Sequence, residues 1–452
     1  MTTSPLDSAI YGDLFCDPAA RRLLDDRAQI EAMLRFEGAL AEAQGEVGVI
    51  PQDAAAAIAR AASSLAIEPA RLAAETARDG VPVPALVAAL RQATGGQAAS
   101  YVHWGATSQD VMDTGLVLRL RDLLDLYRER MAATASSLAA LARRYRHQPM
   151  AGRTRSQQAT PTTFGLKAAG WLAPMVRHRD RLAELRPRLL RLSLGGASGT
   201  LSAMGERAPA VEKALARRLD LGIAPSPWHA QRDALLELGG WLSQATASLG
   251  KMGLDLTLLA QSEVGEVRLA GGGSSTMPNK ANPISAETLV SLARFNAGQI
   301  GLLHQAALQE HERGGPGWAL EWLTLAPMAA ATAGAFSQAL SCLEGLTVRP
   351  GRMRANLDAA LSLPLAEAAS FALSVHLPRE EAQRLVKAAC VRASDEERDL
   401  FEILPELSDA PIDWKSLADP AGALGMADAF VDRVLAAWEE TWKGGASDGA
   451  SQ

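Results

Sequence analysis

Outside a few Gly/Pro clusters, the chain repeats one pattern: apolar residues spaced three and four apart, rich in Ala and Leu, with little of the β-branched alternation that marks strands. The longest run spans Asp233 to Gln261, where Leu235, Leu238, Leu242, Ala245, Leu249, Met252, Leu256 and Leu259 form a heptad seam. At about 1.5 Å per residue this predicts a helix roughly 40 Å long, which needs partners along its whole length. Comparable patterns cover Asp113 to Tyr145, Thr160 to Leu185, Ser285 to Glu310 and Trp318 to Leu343. Five long helices predict a bundle, and the breaks at Gly195–Gly205, Gly222–Pro227, Gly271–Pro283 and Gly314–Gly317 predict loops at its ends. Shorter helical patterns lie before Tyr101 and after about Pro350. The expected fold is all-α: an N-terminal helical domain (1–110), a central bundle (111–350), a C-terminal helical domain (351–440) and a disordered tail (441–452) of low-complexity composition.

Composition narrows the partners. With 452 residues, 48% of them hydrophobic, the chain can bury a large core, while a net charge of -6 without any Lys/Arg block speaks against nucleic acid. An anionic ligand therefore needs positive groups concentrated locally. The three cysteines, Cys16, Cys342 and Cys390, have neither disulfide nor metal-ligand spacing, so no metal is expected. The start of the chain lacks a signal-peptide pattern, and the longest apolar stretch, near Leu325 to Phe336, is too short to span a bilayer. A cytoplasmic protein without membrane partners is the expectation.

Four segments concentrate reactive groups. The loop Gly271–Pro283 carries the hydroxyls of Ser274 and Ser275 and the charge of Lys280, and Asn282-Pro283 reads as an N-cap followed by proline at the first helical position. Such a loop delivers a carboxylate-binding helix N-terminus, though a capped linker has the same composition. The segment Tyr101–Thr114 packs His103, Thr107, Ser108, Gln109 and Asp110 just before a long helix, more hydrogen-bonding groups than one cap requires. The plainer alternative is that Ser108 or Asp110 caps the helix and His103 is a buried structural histidine. Arg153 and Arg155, in Gly152–Pro161, offer forked donors for carboxylates, or are two solvated arginines. In Gln309–Trp318, Arg313 is a further candidate, unless it and His311 oppose a helix dipole. His229 and Gln231, in Pro227–Asp233, suit capping better than chemistry.

The residues Gly273-Ser274-Ser275, Met277-Pro278, Lys280 and Asn282-Pro283 resemble, at every fixed position, the signature loop of the fumarase/aspartase superfamily. Together with Tyr101–Asp110, Gly195–Thr200, Pro227–Asp233 and Gln309–Arg313, they make the chain similar to the cycloisomerase branch of that superfamily over roughly Ser4 to Ala437. The resemblance implies a three-domain all-α subunit that assembles as a homotetramer, with each active site drawn from three subunits. It implies a small polycarboxylate substrate, ring closure of 3-carboxy-cis,cis-muconate to γ-carboxymuconolactone through an aci-carboxylate, and no cofactor. Ser274 takes the proton-transfer role, with Ser275 as its rival, and Lys280 and Asn282 bind the developing aci-carboxylate. His103, Thr107, Ser108, Arg153, Thr154, Arg155, Gln157, Ser275, Met277 and Arg313 are the expected substrate contacts.

Departures from the pattern also inform. Where fumarases and adenylosuccinate lyases read Gly-Arg-Thr-His, with the histidine as acid or base, this chain has Arg155. That disfavours the rival reading, a fumarate-releasing C–N or C–O lyase, because elimination leans on that histidine while ring closure protonates no external leaving group. Glu287 matches the carboxylate that orients the missing histidine, so an Arg155–Glu287 ion pair is predicted between subunits or helices. A third reading, a non-catalytic structural protein, is opposed by the intact Ser274, Lys280 and Asn282.

Overall fold

The computed structural model describes residues 4–273, 277 and 280–444. Their helices include α1 (Asp26–Val47), α2 (Gln52–Ser64), α3 (Ser108–Arg144), α4 (Phe164–Leu189), α5 (Ala208–Leu219), α6 (Asp233–Leu259), α7 (Ile284–Ala306), α8 (Gly315–Glu344), α9 (Arg379–Glu396) and α10 (Leu400–Leu407). The all-α expectation is borne out, and the five long helices read from periodicity are α3, α4, α6, α7 and α8. Every residue of the α6 heptad seam is buried. Two boundaries need correction. Residues 160–163 belong to a strand rather than to α4, and Gly315, Pro316 and Gly317 open α8 instead of forming a turn, because proline in a first turn fixes φ without forfeiting a helical hydrogen bond. Of the expected disordered tail, 441–444 instead continue the last helix (Ala427–Gly444), and 445–452 lie outside the described residues. Among the described residues no single helix is long and apolar enough to cross a membrane.

The chain divides into two compact units: one holds the residues up to Arg130, His178–Ala247 and Ser291–Ser337; the other holds Met131–Arg177, Ser248–Val290 and everything from Gln338 on. The chain crosses between them five times, each time within a long helix.

In the first unit, Asp25 caps α1 by accepting from the Ala28 N–H at 2.8 Å, and Gly48 ends it in the left-handed conformation, φ 78°. Met33, Phe36 and Leu40 of α1 pack in one core with Ile58 of α2, Leu118 of α3 and Leu215 of α5. A Cβ at Gly45 would lie 2.5 Å from the Ala55 side chain, so glycine is what lets α1 and α2 close together. Deeper in the unit, Arg232 sits between Asp113 and Glu321, with guanidinium-to-carboxylate distances from 2.7 to 3.0 Å. Burial opposes the charge of Arg232, but the two carboxylates hold its pKa well above the usual arginine range. This triad fastens the start of α6 to α3 and α8.

In the second unit, strands β1 (Pro149–Thr154) and β2 (Gln157–Thr163) form an antiparallel hairpin with an irregularity at Ala151/Gly152. The short strands β3 (Val267–Leu269), β4 (Gly272–Gly273), β5 (Ala281–Asn282) and β6 (Leu346–Val348) pair as β3 with β6 and β4 with β5. A Cβ on Gly253 of α6 would meet the Ala286 carbonyl oxygen at 2.5 Å, so α6 and the first turn of α7 touch through a backbone-wide gap. The C-terminal helices close their own core around Leu373, Val386, Ala389, Ile403 and Leu404, with α9 and α10 supplying most of it.

Candidate active site

The candidate residues fall into one group per unit. In the first unit the organiser is Asp110, which is fully buried. Thr107 occupies the N-cap of α3: its carbonyl accepts from the Val111 N–H at 3.4 Å. Asp110, at the third helical position, returns to accept from the Thr107 N–H at 3.0 Å, half of a capping box. The same carboxylate accepts from the N–H groups of Gly195 (2.8 Å) and Gly196 (3.0 Å) and from His229 Nε2 (2.7 Å). One side chain thus ties the α3 N-terminus, the Gly195–Thr200 loop and the Pro227–Asp233 segment together. Gly195 has to be glycine, since a Cβ there would lie 2.8 Å from His229 Cε1.

Gln109 extends this lattice, donating to the His229 carbonyl at 2.9 Å and accepting from Arg313 Nε at 2.9 Å. Arg313 also donates to the Ala197 carbonyl at 3.3 Å. Thr107, Ser108 and Arg313 are therefore brought to one place: the positive end of a 37-residue helix beside a guanidinium. That arrangement favours a carboxylate. His103 faces elsewhere, with Nδ1 2.6 Å from the buried Glu37 carboxylate and its backbone held at φ 63°. Burial works against its charged form, yet attraction and hydrogen bonding by Glu37 outweigh that, and its pKa is raised. Sequence reasoning undervalued His229, because its link to Asp110 spans 119 residues with no local signal.

In the second unit, Arg153 is held by protein rather than left open for substrate. It donates to both oxygens of the buried Glu266 carboxylate at 2.9 and 2.7 Å, and Asn356 adds a third donor to Glu266 at 2.8 Å. Nothing in the local pattern announces Glu266. Thr154, Arg155 and Gln157 are exposed at the hairpin tip, where Arg155 (φ 50°) and Ser156 (φ 66°) both take the left-handed conformation of a tight two-residue turn. Turns of that kind usually employ Asn or Gly, so two residues with full side chains here store strain. Among the described residues no ion pair joins Arg155 to Glu287 within the chain; the predicted pair stands only in its intersubunit form.

Of the loop Gly271–Pro283, Ser274, Ser275, Thr276, Pro278 and Asn279 lie outside the described residues. At its base, Gly272–Gly273 pairs with Ala281–Asn282, and a Cβ on Gly271 would collide with the Asn282 carbonyl oxygen at 2.0 Å. Asn282 is consequently a strand residue, not the helix cap: the first helical hydrogen bond runs from the Glu287 N–H to the Pro283 carbonyl at 3.0 Å, which puts Pro283 at the cap. Lys280 and Met277 are both exposed, and the Lys280 N–H donates to the Met277 carbonyl at 3.0 Å. The loop so presents an ammonium group just ahead of a helix N-terminus.

An all-α chain with a helix N-terminus beside a guanidinium in one unit and a lysine-bearing glycine loop in the other fits a class of enzymes that handle multiply charged acids. Residues 17–298 match the family model described as lyase, and residues 363–434 match the one for the adenylosuccinate lyase C-terminus. The chain belongs to the fumarase/aspartase superfamily of lyases. Among relatives, it is similar to the 3-carboxy-cis,cis-muconate cycloisomerase of Pseudomonas aeruginosa, 46% identical over 94% of this chain and 96% of the relative. Its structure is similar to that of the 3-carboxy-cis,cis-muconate lactonizing enzyme of Pseudomonas putida, with a TM-score of 0.92 and 42% identity over 96% of this chain and 100% of the other. A fumarate lyase from Mesorhizobium sp. is also similar, with a TM-score of 0.88 and 41% identity over 93% and 98% of the two chains.

Proposed function

We propose that this chain is a cofactor-independent cycloisomerase that converts 3-carboxy-cis,cis-muconate to γ-carboxymuconolactone in cytoplasmic aromatic-acid catabolism. The observation that carries the reading is the 46% identity with a cycloisomerase along 94% of the chain. Arg155 at the hairpin tip refines it: a permanent cation stands where fumarate-releasing members of the superfamily place a titrating histidine.

In this reaction a carboxylate oxygen bonds to an alkene carbon, and the alkene electron pair moves into the carboxylate on the neighbouring carbon to form an aci-carboxylate. A proton from Ser274 to the carbon beside that group completes the lactone, and the serine regains its proton from solvent. Lys280 and Asn282 receive the second negative charge, which exists only along the reaction, so their interaction lowers the barrier rather than tightening ground-state binding. Thr107, Ser108 and Arg313 hold a second carboxylate at the α3 N-terminus. The two groups of residues act together in a homotetramer of three-domain subunits, each active site drawing on several chains. Supporting the assembly, the long helices leave large apolar side chains exposed in the single chain: Leu254 and Leu258 on α6, Leu302 on α7 and Leu323 on α8.

The test is a substrate panel of muconates, succinates and adenylosuccinate. Loss of the conjugated-diene ultraviolet absorbance of carboxymuconate, without fumarate, is expected. The second reading, a fumarate-releasing lyase, is favoured by the likeness to the Mesorhizobium enzyme, and fumarate accumulating from a succinate with no diene loss would establish it in place of ring closure.

A further inference from the structure

A cavity of about 600 Å³ opens in the first unit, between the start of α1, the first turns of α3 and the Glu321–Ala329 stretch of α8. None of the residues named above as a catalytic or substrate-binding candidate lines it, although Met112 and Asp113, from the end of the Tyr101–Thr114 segment, do. Its walls are mainly apolar, with Ile30, Met33, Leu116, Trp322 and Leu325 prominent among them, and Trp318 braces the Trp322 ring from the side at a centroid distance of 4.8 Å. Volume and lining are those of a small-molecule site.

The only basic group among the described residues of this wall is Arg119. Its Nε is buried without a hydrogen-bond partner, and no described carboxylate lies within ion-pair distance of its guanidinium. Burial pulls its pKa down to about 10 against the weaker, longer-range attraction of Asp25 and Asp26. The other acidic side chains of the wall do not meet this need: Asp113 and Glu321 are both occupied by Arg232, and Asp26 is exposed at the start of α1. A half-buried guanidinium whose Nε is buried without a partner is poorly satisfied in an apolar surround, and an anion joining it would complete its hydrogen bonding. A carboxylate matches its fork with two parallel hydrogen bonds, and an apolar body on that carboxylate matches the walls.

We propose that this cavity is a second binding site, separate from the catalytic groups, for a small carboxylate with a flat apolar body. The carboxylate pairs with Arg119, and the body lies against Leu116 and Trp322.

Benzoate is the probe, titrated calorimetrically into the full-length protein and into three variants whose folding is checked by circular dichroism. Wild type is expected to bind benzoate at this site, Lys280→Ala to bind it equally well, and Arg119→Met to bind it at least about tenfold more weakly. Leu116→Trp, which fills the cavity while keeping the guanidinium, should abolish binding. Benzyl alcohol, which lacks the charge, should bind wild type and Arg119→Met alike. Arg119→Met removes a half-buried charge that has no ion-pair partner and should not impair folding. Absence of benzoate binding, equal binding by Arg119→Met, survival of binding in Leu116→Trp, or loss in Lys280→Ala would each overturn the proposal.

Discussion

The N-terminal end of α3 and the β1–β2 hairpin each carry charged residues, one in each unit, yet they are built in opposite ways. At α3 the scaffold is closed: a buried carboxylate, Asp110, satisfies two glycine N–H groups, the cap N–H and His229, and leaves Thr107 and Ser108 half-buried at a fixed helix end. At the hairpin one arginine, Arg153, is anchored to Glu266, while Arg155 is held out on a strained, exposed turn. The first region is preorganised within its own unit; the second leaves a cation exposed on its turn. The lesson is that charged groups of one chain can be fixed by a buried hydrogen-bond lattice in one unit and left unlatticed in the other.

Breaking the closed half should have the largest effect. Asp110→Ala leaves four donors without their acceptor inside the protein, and a loss of about 3–5 kcal/mol in urea-unfolding stability is expected. Stability within about 0.5 kcal/mol of wild type would mean that water replaces the carboxylate easily and that the region is not preorganised. Lys280→Ala probes a second exposed cation, on the loop that leads into α7. The lysine side chain is exposed, so unfolding should be unchanged while kcat falls by about 10²–10³, as expected when a donor to developing charge is removed. A matching loss in stability instead would make Lys280 a structural residue.

How much of this could be read from the chain follows the same division. The amphipathic helices were legible because their period is local: Leu235 to Leu259 declares the buried face of α6 without reference to anything else. A cap was legible in Tyr101–Thr114, since cap chemistry is also local, but the pattern pointed to Ser108 or Asp110, whereas Thr107 takes the position and Asp110 returns to its N–H. The hairpin was hidden because Arg155 and Ser156 adopt left-handed turn conformations that their side chains do not advertise, so a turn signal was missing. Asn282 read as a cap from its place before Pro283, but pairing of its backbone with Gly272 took precedence. The partners of Asp110 and Arg153 were out of reach for a plainer reason: Gly195, His229 and Glu266 lie 85, 119 and 113 residues away, where only the folded chain brings them close.

A finer distinction is possible within the hairpin. If Arg153 anchors the strand, Arg153→Leu should destabilise the protein by about 2–4 kcal/mol, because the buried Glu266 loses two donors and keeps only Asn356. If Arg153 instead bound substrate, KM would rise with stability unchanged. A hairpin-tip variant, Arg155→Ala, should show the converse pattern: lower kcat/KM with unfolding within about 0.5 kcal/mol of wild type.

The smallest expected effect lies in the pH dependence of the closed region. His103, beside the α3 start, titrates: burial disfavours its imidazolium, the Glu37 carboxylate 2.6 Å away favours it more, and the net shift is upward from 6.5. A histidine whose folded pKa lies above its unfolded one contributes stability that is fully present below the unfolded value and disappears as pH rises through the folded value. His103→Gln keeps a hydrogen-bond donor for Glu37 but removes that charge. Urea unfolding of wild type and His103→Gln from about pH 5 to about pH 9 should therefore show the widest gap in stability at the acid end, narrowing as the solution becomes alkaline. A gap constant with pH would mean that the ring serves Glu37 only as a neutral donor and that its charge plays no part in holding the closed region.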